Sequence, residues 1–198
     1  MSVDLFVALV IFAFVTSVTP GPNNLMLLAS GVNFGFKRTI PHMAGIGIGF
    51  TVMVIAVGLG LGKLFEAYPA IYTALRVAGG LYMLWLAWKI ANSGPVGEGR
   101  SAGTPLSFVQ AALFQWVNPK AWVMAVTANA TYTLPDNYLW SVLLVGLVFG
   151  AVNLPSVSTW ALFGTGLKHV LNNPRVLRVF NITMAVLLVA SLAPLLYH

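Results

Sequence analysis

Long apolar stretches with almost no charge constrain this chain more than any other feature of its sequence. Of its 198 residues, 59% are hydrophobic and only 7% are charged, whereas a soluble domain carries roughly 25% charged residues. Ten basic and four acidic side chains are too few to cover the water-facing surface of a soluble domain of this length. We therefore expect an all-α polytopic membrane protein with one transmembrane domain over residues 1–198, and soluble enzymes and nucleic-acid-binding modules are excluded.

Six stretches are long enough to cross a bilayer as helices, because a spanning helix needs about 20 mostly apolar residues. They extend from Leu5 to Ser30, Ile40 to Leu61, Ile71 to Trp88, Leu106 to Ala130, Tyr138 to Phe163 and Val176 to Tyr197. Basic residues collect after the first, third and fifth stretches, namely Lys37, Arg38, Lys89, Arg100, Lys168, Arg175 and Arg178. Loops rich in Lys and Arg face the cytoplasm. Both termini are thus predicted to lie outside, and much of the net charge of +6 reflects topology rather than a nucleic-acid partner.

A Gly/Ser/Pro-rich segment at about residues 92–105 divides the chain into two halves, about residues 1–91 and 106–198. Each half contains three predicted spans, so the second half enters the membrane from the opposite side. The first span of each half is interrupted, at Pro20–Pro22 and at Asn118–Pro119. A 3+3 inverted repeat with helices one and four broken near the midplane is typical of secondary transporters, which bind substrate at the repeat interface. The alternative is that each proline only kinks its helix, which membrane helices tolerate.

Both interruptions have the sequence of a helix that stops and restarts. Pro20 cannot donate a backbone hydrogen bond, Gly21 permits unusual backbone angles, and Pro22 suits the first position of a helix. In the second half, Asn118 is a suitable N-cap and Pro119 a suitable first residue. Free N–H groups and the positive end of the helix dipole make each restart a potential anion site.

Lys120 adds a full positive charge beside the second restart, and no acidic residue occurs inside any predicted span. Because a buried lysine without a partner is costly, the substrate is a candidate for the missing anion. A carboxylate fits the lysine and the helix starts, while the amides of Asn23, Asn24, Asn118 and Gln115 can bind an ammonium or polar group. A zwitterionic amino acid combines these features. The alternatives are a lysine that is neutral or extends to an interface, and asparagines that cap the helix or join neighbouring helices.

Three further polar residues have weaker functional interpretations. Arg76 lies within the third span, where it would bind a carboxylate or else extend to the membrane surface. Asn153 in the fifth span would line the cavity or form a structural hydrogen bond between helices. His42 is a lone histidine near one end of the second span, where it could titrate, although a lone histidine at an interface is more often incidental.

At its motifs the sequence resembles the LysE/RhtB family of bacterial amino-acid exporters, and the resemblance covers essentially the whole chain. It is carried by TPGPNN (residues 19–24), GFKR (35–38), AGIGIGF (44–50), LYMLWLAWKI (81–90) and FQWVNPKAW (114–122). The resemblance implies efflux of amino acids across the bacterial cytoplasmic (inner) membrane, driven by the proton-motive force. The family motif PGPN falls on Pro20, Gly21, Pro22 and Asn23, and NPKA falls on Asn118, Pro119, Lys120 and Ala121. A neutral amino acid or derivative is favoured, because no buried carboxylate is available for a cationic side chain and Lys120 would repel it.

Other functions fit the sequence less well. An intramembrane enzyme would need paired carboxylates, a metal cluster or a nucleophile–base pair, yet the three histidines and four acids lie near membrane edges or in loops. A passive channel or facilitator for small polar or anionic solutes is the main alternative, because channels also use broken helices. An assembly factor would not need two matching polar breaks. The expected partners are an amino acid, membrane lipids and protons as coupling ions, with no cofactor or metal, and a homo-oligomer stays open.

Overall fold

The computed structural model describes residues 1–61, 67–93, 104–168, 170–171 and 173–193, and these residues form helices and connecting turns without a β-strand. The all-α membrane fold predicted from the sequence is confirmed. The α-helices are α1 (Val3–Val18), α2 (Pro22–Phe34), α3 (Phe36–Ala56), α4 (Pro69–Ala91), α5 (Phe108–Phe114), α6 (Pro119–Tyr132), α7 (Tyr138–Leu167) and α8 (Pro174–Ala190). A π-helical turn, Val57–Leu61, extends α3, and 3₁₀ turns at Gln115–Val117 and Pro135–Asn137 precede α6 and α7.

The helix starts follow from local capping chemistry. The Ser2 hydroxyl accepts a hydrogen bond from the Leu5 amide at 3.2 Å, and Ser107 forms a reciprocal capping box with Gln110. Proline occupies the first position of α2, α4, α6 and α8, where no backbone donor is needed. Between α2 and α3 the chain turns at Gly35, whose φ of 79° favours glycine.

Helix lengths differ from the predicted spans by a few residues at most ends. The fifth span continues to Leu167 rather than ending at Phe163, and α7 includes Pro155 as the predicted span does. In the sixth, α8 stops at Ala190 and a turn follows at residues 191–192. Residues 94–103 of the predicted linker, and the end of the sixth span beyond residue 193, lie outside the described part of the chain.

Two helical segments, Phe36–Leu61 and Pro135–Leu167, are long and apolar enough to cross a membrane. The pair α1 and α2 forms a third candidate span if it is counted as one bent segment. By helix length and apolar composition, the described helices account for up to three of the six predicted spans. α8 is only 17 residues long, and α4 includes the charged residues Arg76 and Lys89.

The long helix α7 lies at the centre and packs against α1, α2 and α3, while α4 pairs with α8 and α5 packs on α3. An aromatic cluster lies between α1, α3 and α7. The Phe149 ring is edge-on to the Phe50 ring, with 5.5 Å between centroids, and to the Phe12 ring, with 6.1 Å between centroids. Many large apolar side chains, such as Val123, Leu139 and Leu147, stay exposed on the outside. Such a surface suits contact with lipid rather than water.

Two breaks in the helices lie beside each other. The axes of α1 and α2 differ by 54° across Thr19–Gly21. The second break comprises the 3₁₀ turn Gln115–Val117 and Asn118, between α5 and α6. The candidate site is built from these two breaks.

Candidate functional site

Hydrogen bonds from one asparagine side chain bridge the two sides of the first break. The Asn24 side chain, which is buried in the first turn of α2, donates to the carbonyl oxygens of Ser17 at 2.9 Å and Thr19 at 2.8 Å. These carbonyls belong to the end of α1, where no following helical turn supplies amide donors for them. Asn24 therefore ties the last turn of α1 to the first turn of α2, which corresponds to the alternative in which this residue joins neighbouring helices. Gly21 precedes α2 in extended conformation and provides no side-chain cap.

The second break is capped by its own asparagine. The Asn118 side chain accepts a hydrogen bond from the Lys120 amide at 3.1 Å, and Pro119 is the first residue of α6. The first turns of α2 and α6 leave backbone N–H groups without helical acceptors. Both helix starts thus direct partial positive charge toward the region between the breaks.

Lys120 crosses from the second break to the first. Its Nζ donates to the Thr19 carbonyl at 2.7 Å, to Thr19 Oγ1 at 2.9 Å and to the Pro20 carbonyl at 3.4 Å. The stem of the lysine passes over Gly21, where an added Cβ would lie 2.7 Å from Cδ. The expectation that Lys120 has no partner within the chain, which made the substrate a candidate for the missing anion, is thus incomplete, because the carboxyl end of α1 supplies oxygen acceptors and a favourable dipole.

Asn23 makes the reciprocal crossing. Its Nδ2 donates to Gln115 Oε1 at 2.8 Å, and Gln115 Nε2 donates back to Asn23 Oδ1 at 3.1 Å. Asn23 and Lys120 each occupy the second position of a restarted helix, and each contacts the break in the other half. Gln115 is fully buried and also donates to the Ala111 carbonyl, so it positions Asn23.

A small polar pocket lies between the breaks. Its lining comprises Thr16, Ser17, Gly21, Asn23, Asn24, Phe50, Asn118, Lys120, Ala121, Met124 and Asn153. Asn153 on α7 donates to Ser17 Oγ at 3.3 Å, while its buried Oδ1 has no hydrogen-bond partner among the described residues. The lining therefore combines an ammonium that already donates to three oxygens of the first break with a buried amide oxygen that lacks a partner among the described residues.

The structure does not bring every predicted residue into this pocket. Pro20, Pro22 and Pro119 shape the breaks but do not line the pocket, and Gln115 acts through Asn23. Arg76 is half-buried on α4 and is not among the lining residues.

Thr16, Ser17 and Phe50 line the pocket, but no sequence motif marks them as site residues. Thr19 binds Lys120, and its place in the TPGPNN motif does not predict that contact. A single serine or threonine in an apolar helix carries no signal of its own in one sequence, so only the fold reveals these positions.

Comparison with known proteins agrees with the motifs. A family model described as LysE type translocator matches residues 14–198. Cysteine/O-acetylserine efflux proteins of Escherichia coli strain K12 and of Shigella flexneri are each 34% identical over 188 residues, covering 94% of this chain and 94% of theirs. No solved structure matches the chain. The family model spans most of the chain and the relatives align over nearly its whole length, so this protein belongs to the family of LysE type translocators.

Proposed function

We propose that this protein exports neutral amino acids or their derivatives across the bacterial cytoplasmic membrane as a secondary transporter. The pocket between the two breaks is the substrate site in this proposal. Lys120 and the starts of α2 and α6 bind the carboxylate, and Asn153 accepts a hydrogen bond from the ammonium group. Protons are the proposed coupling ions.

The observation that supports this most directly is that one pocket is lined by both Lys120 and Asn153, whose Oδ1 has no hydrogen-bond partner among the described residues. A carboxylate and an ammonium group are the two charged ends of every free amino acid. The carboxylate would replace the longest contact of Lys120 Nζ, to the Pro20 carbonyl at 3.4 Å, and the ammonium group would donate to Asn153 Oδ1. The pocket lining contains no acidic side chain. A cationic substrate side chain would therefore meet Lys120 without a compensating charge, which favours neutral substrates.

The proposed membrane arrangement is six spans in a 3+3 inverted repeat, with both termini outside. It is supported by the reciprocal contacts of Asn23 and Lys120, because equivalent positions in two inverted halves make equivalent crossings. The similar lengths of α2 and α6, 13 and 14 residues, also fit. At 1.5 Å per residue each covers roughly 20 Å, so both starts would lie well inside the bilayer.

The relatives suggest which substrates to test first. Their names specify efflux of cysteine and O-acetylserine, both of which carry no net charge on the side chain at neutral pH. We propose L-cysteine and O-acetyl-L-serine as the leading candidates.

Counterflow in liposomes that contain the purified protein tests the proposal. Vesicles are loaded with unlabelled L-cysteine under reducing conditions, and uptake of labelled L-cysteine is followed with competitors outside. We expect neutral amino acids to compete at least about tenfold better than lysine or arginine. Efficient lysine counterflow that excess neutral amino acids do not reduce would contradict the substrate assignment.

A passive facilitator would show counterflow as well, so a second measurement separates the two mechanisms. An imposed proton gradient should drive labelled L-cysteine to a higher concentration on one side of the membrane. Movement that never exceeds equal concentrations would favour the facilitator.

A further inference from the structure

A hydrogen bond from α7 reaches the end of α1 immediately before the first break. Trp160 Nε1 donates to the Val18 carbonyl oxygen at 3.1 Å. Val18 is the last residue of α1, so its carbonyl lacks an amide donor from a next helical turn. The indole nitrogen supplies that donor, and it can only donate. Trp160 is partly buried, and it is not among the residues that line the pocket between the breaks.

Four consecutive carbonyl oxygens at this break accept hydrogen bonds from side chains, namely those of Ser17, Val18, Thr19 and Pro20. These acceptors belong to one short segment, whereas the donors Asn24, Trp160 and Lys120 come from α2, α7 and α6. Without the indole N–H, the Val18 carbonyl would be the one member of this row without a side-chain donor. A carbonyl without a partner inside the bundle is costly, so the segment would rearrange.

One peptide plane links Trp160 to the proposed substrate site. The Val18 carbonyl and the Thr19 amide belong to the same planar unit, and that amide donates to the Val15 carbonyl at 3.2 Å. Holding this plane therefore fixes where Thr19 begins. Thr19 in turn provides two of the three oxygens that bind Lys120 Nζ, at 2.7 and 2.9 Å. Trp160 is thus connected to Lys120 through Val18 and Thr19.

The same face of α7 also carries Asn153. Asn153 and Trp160 are seven residues apart, a spacing that places both side chains on one side of a helix. Asn153 donates to Ser17 Oγ at 3.3 Å, one residue before Val18. The contact of α7 with the end of α1 therefore sets the position of the proposed ammonium acceptor as well as that of the Val18 carbonyl.

A tryptophan has a similar contact at the second break. Trp122 Nε1 donates to the Trp116 carbonyl, which lies in the 3₁₀ turn before Asn118, at 2.8 Å. At both breaks an indole N–H therefore binds a backbone carbonyl close to the restart of the helix. This recurrence favours a role in shaping the breaks over a chance contact of one large side chain.

We infer that Trp160 is a positioning residue for substrate binding. Its N–H orients the Val18–Thr19 peptide, and through it the Thr19 oxygens that hold the Lys120 ammonium within reach of a substrate carboxylate. The inference rests on the proposed function, because it requires Lys120 to bind that carboxylate. It goes further in assigning part of the substrate affinity to a residue outside the pocket.

Removing only the N–H group tests this inference. Site-specific replacement of Trp160 by 3-benzothienylalanine, in which sulfur replaces the indole N–H, keeps the size of the ring system. We expect the L-cysteine concentration at half-maximal counterflow to rise at least about threefold, as loss of one net hydrogen bond implies, while the maximal rate stays within about twofold. The matched control is Trp140, whose side chain is 77% exposed, and the same replacement there should leave both values unchanged.

A double-variant cycle determines whether Trp160 acts through Lys120. In the Lys120→Met background, the replacement at position 160 should no longer raise the half-maximal concentration, because the ammonium that it positions is gone. An equal rise in both backgrounds, or no rise in either, would overturn the inference and leave the proposed function intact. Parental transport by Lys120→Met alone would overturn the proposed carboxylate site instead.

A spectroscopic measurement on native Trp160 covers the case in which the replacement does not fold. With ¹⁵N-labelled tryptophan introduced at position 160 alone, Lys120→Met should shift the indole ¹H–¹⁵N resonance, because the two side chains are connected through Thr19. Lys37→Met, which removes an exposed lysine, should leave the resonance in place. An indole resonance that Lys120→Met does not move would refute the connection.

Discussion

Replacing Lys120 with methionine is the most informative perturbation of the pocket between the breaks. Methionine keeps most of the side-chain length and its packing over Gly21, but it removes the ammonium. The variant therefore tests charge rather than shape. It removes the two short hydrogen bonds to Thr19, at 2.7 and 2.9 Å, along with the longer one to the Pro20 carbonyl.

The expected effect on stability is small, because two opposing contributions nearly cancel. Hydrogen bonds to a charged group contribute about 1.5–3 kcal/mol each, so the loss of two favours unfolding. Removing a partly buried ammonium from an apolar bundle also removes a desolvation cost of several kcal/mol. We expect the free energy of unfolding to change by no more than about 2 kcal/mol. For a chain of this size that corresponds to roughly 4–8 °C in the thermal midpoint.

The expected effect on transport is large. Loss of a charge-assisted contact with the substrate carboxylate costs at least about 1.4 kcal/mol, which is a tenfold loss of affinity. At substrate concentrations below saturation, counterflow of labelled L-cysteine should fall at least about tenfold. Lys120→Arg should restore only part of this activity, because a planar guanidinium does not replace a compact ammonium. Lys37→Met, which removes an exposed lysine, is the matched control and should transport normally.

The assay combines thermal unfolding in detergent with counterflow over a range of L-cysteine concentrations. A Lys120→Met protein that unfolds near the parental midpoint and transports at the parental rate throughout that range would refute the reasoning. Lys120 would then be a structural link between the breaks, and the carboxylate site would have to lie elsewhere.

Three other predictions concern packing, substrate contact and topology. Gly164→Ala should destabilise the protein by about 1–3 kcal/mol, because an added Cβ meets the backbone of α2. The control Gly166→Ala has open space around it and should unfold like the parent. Equal thermal midpoints for the two variants would contradict this. Asn153→Leu should raise the L-cysteine concentration at half-maximal counterflow at least about fivefold, since it removes the unsatisfied acceptor, and an unchanged value would exclude Asn153 from the site. Topology reporters at the N-terminus and near Asp136 should report the outside and one near Arg100 the cytoplasm, so an exposed N-terminus on the cytoplasmic side would overturn the predicted orientation.

Helix starts were predictable from the sequence because capping is local. Pro22 and Pro119 begin helices for reasons contained within two or three neighbouring residues, and the structure begins α2 and α6 at these positions. Helix ends were less predictable. Gly164 and Gly166 resemble helix stop signals in the sequence, yet α7 continues through both to Leu167, beyond the predicted end at Phe163.

Packing partners could not be read from spacing. Gly45 and Gly49 in α3 have the same four-residue spacing as Gly146 and Gly150 in α7. In the structure the first pair contacts α5, whereas the second pair contacts Ile55 and Thr51 of α3. Four-residue spacing establishes that two small residues share a helix face. It contains no information about which helix approaches that face.

The hydrogen-bond partners of Lys120 could not be predicted from the sequence either. An acidic side chain is the partner that a sequence would suggest for it, and none lies in a predicted span. Its actual acceptors include two backbone carbonyls of the first break, and every residue in the chain has such a group. A carbonyl becomes available only where a helix ends, and Thr19 lies 101 residues away from Lys120 in the sequence. The end of α1 is encoded locally by Pro20, but its position beside α6 depends on the packing of the whole bundle, so the contact follows only from the three-dimensional fold.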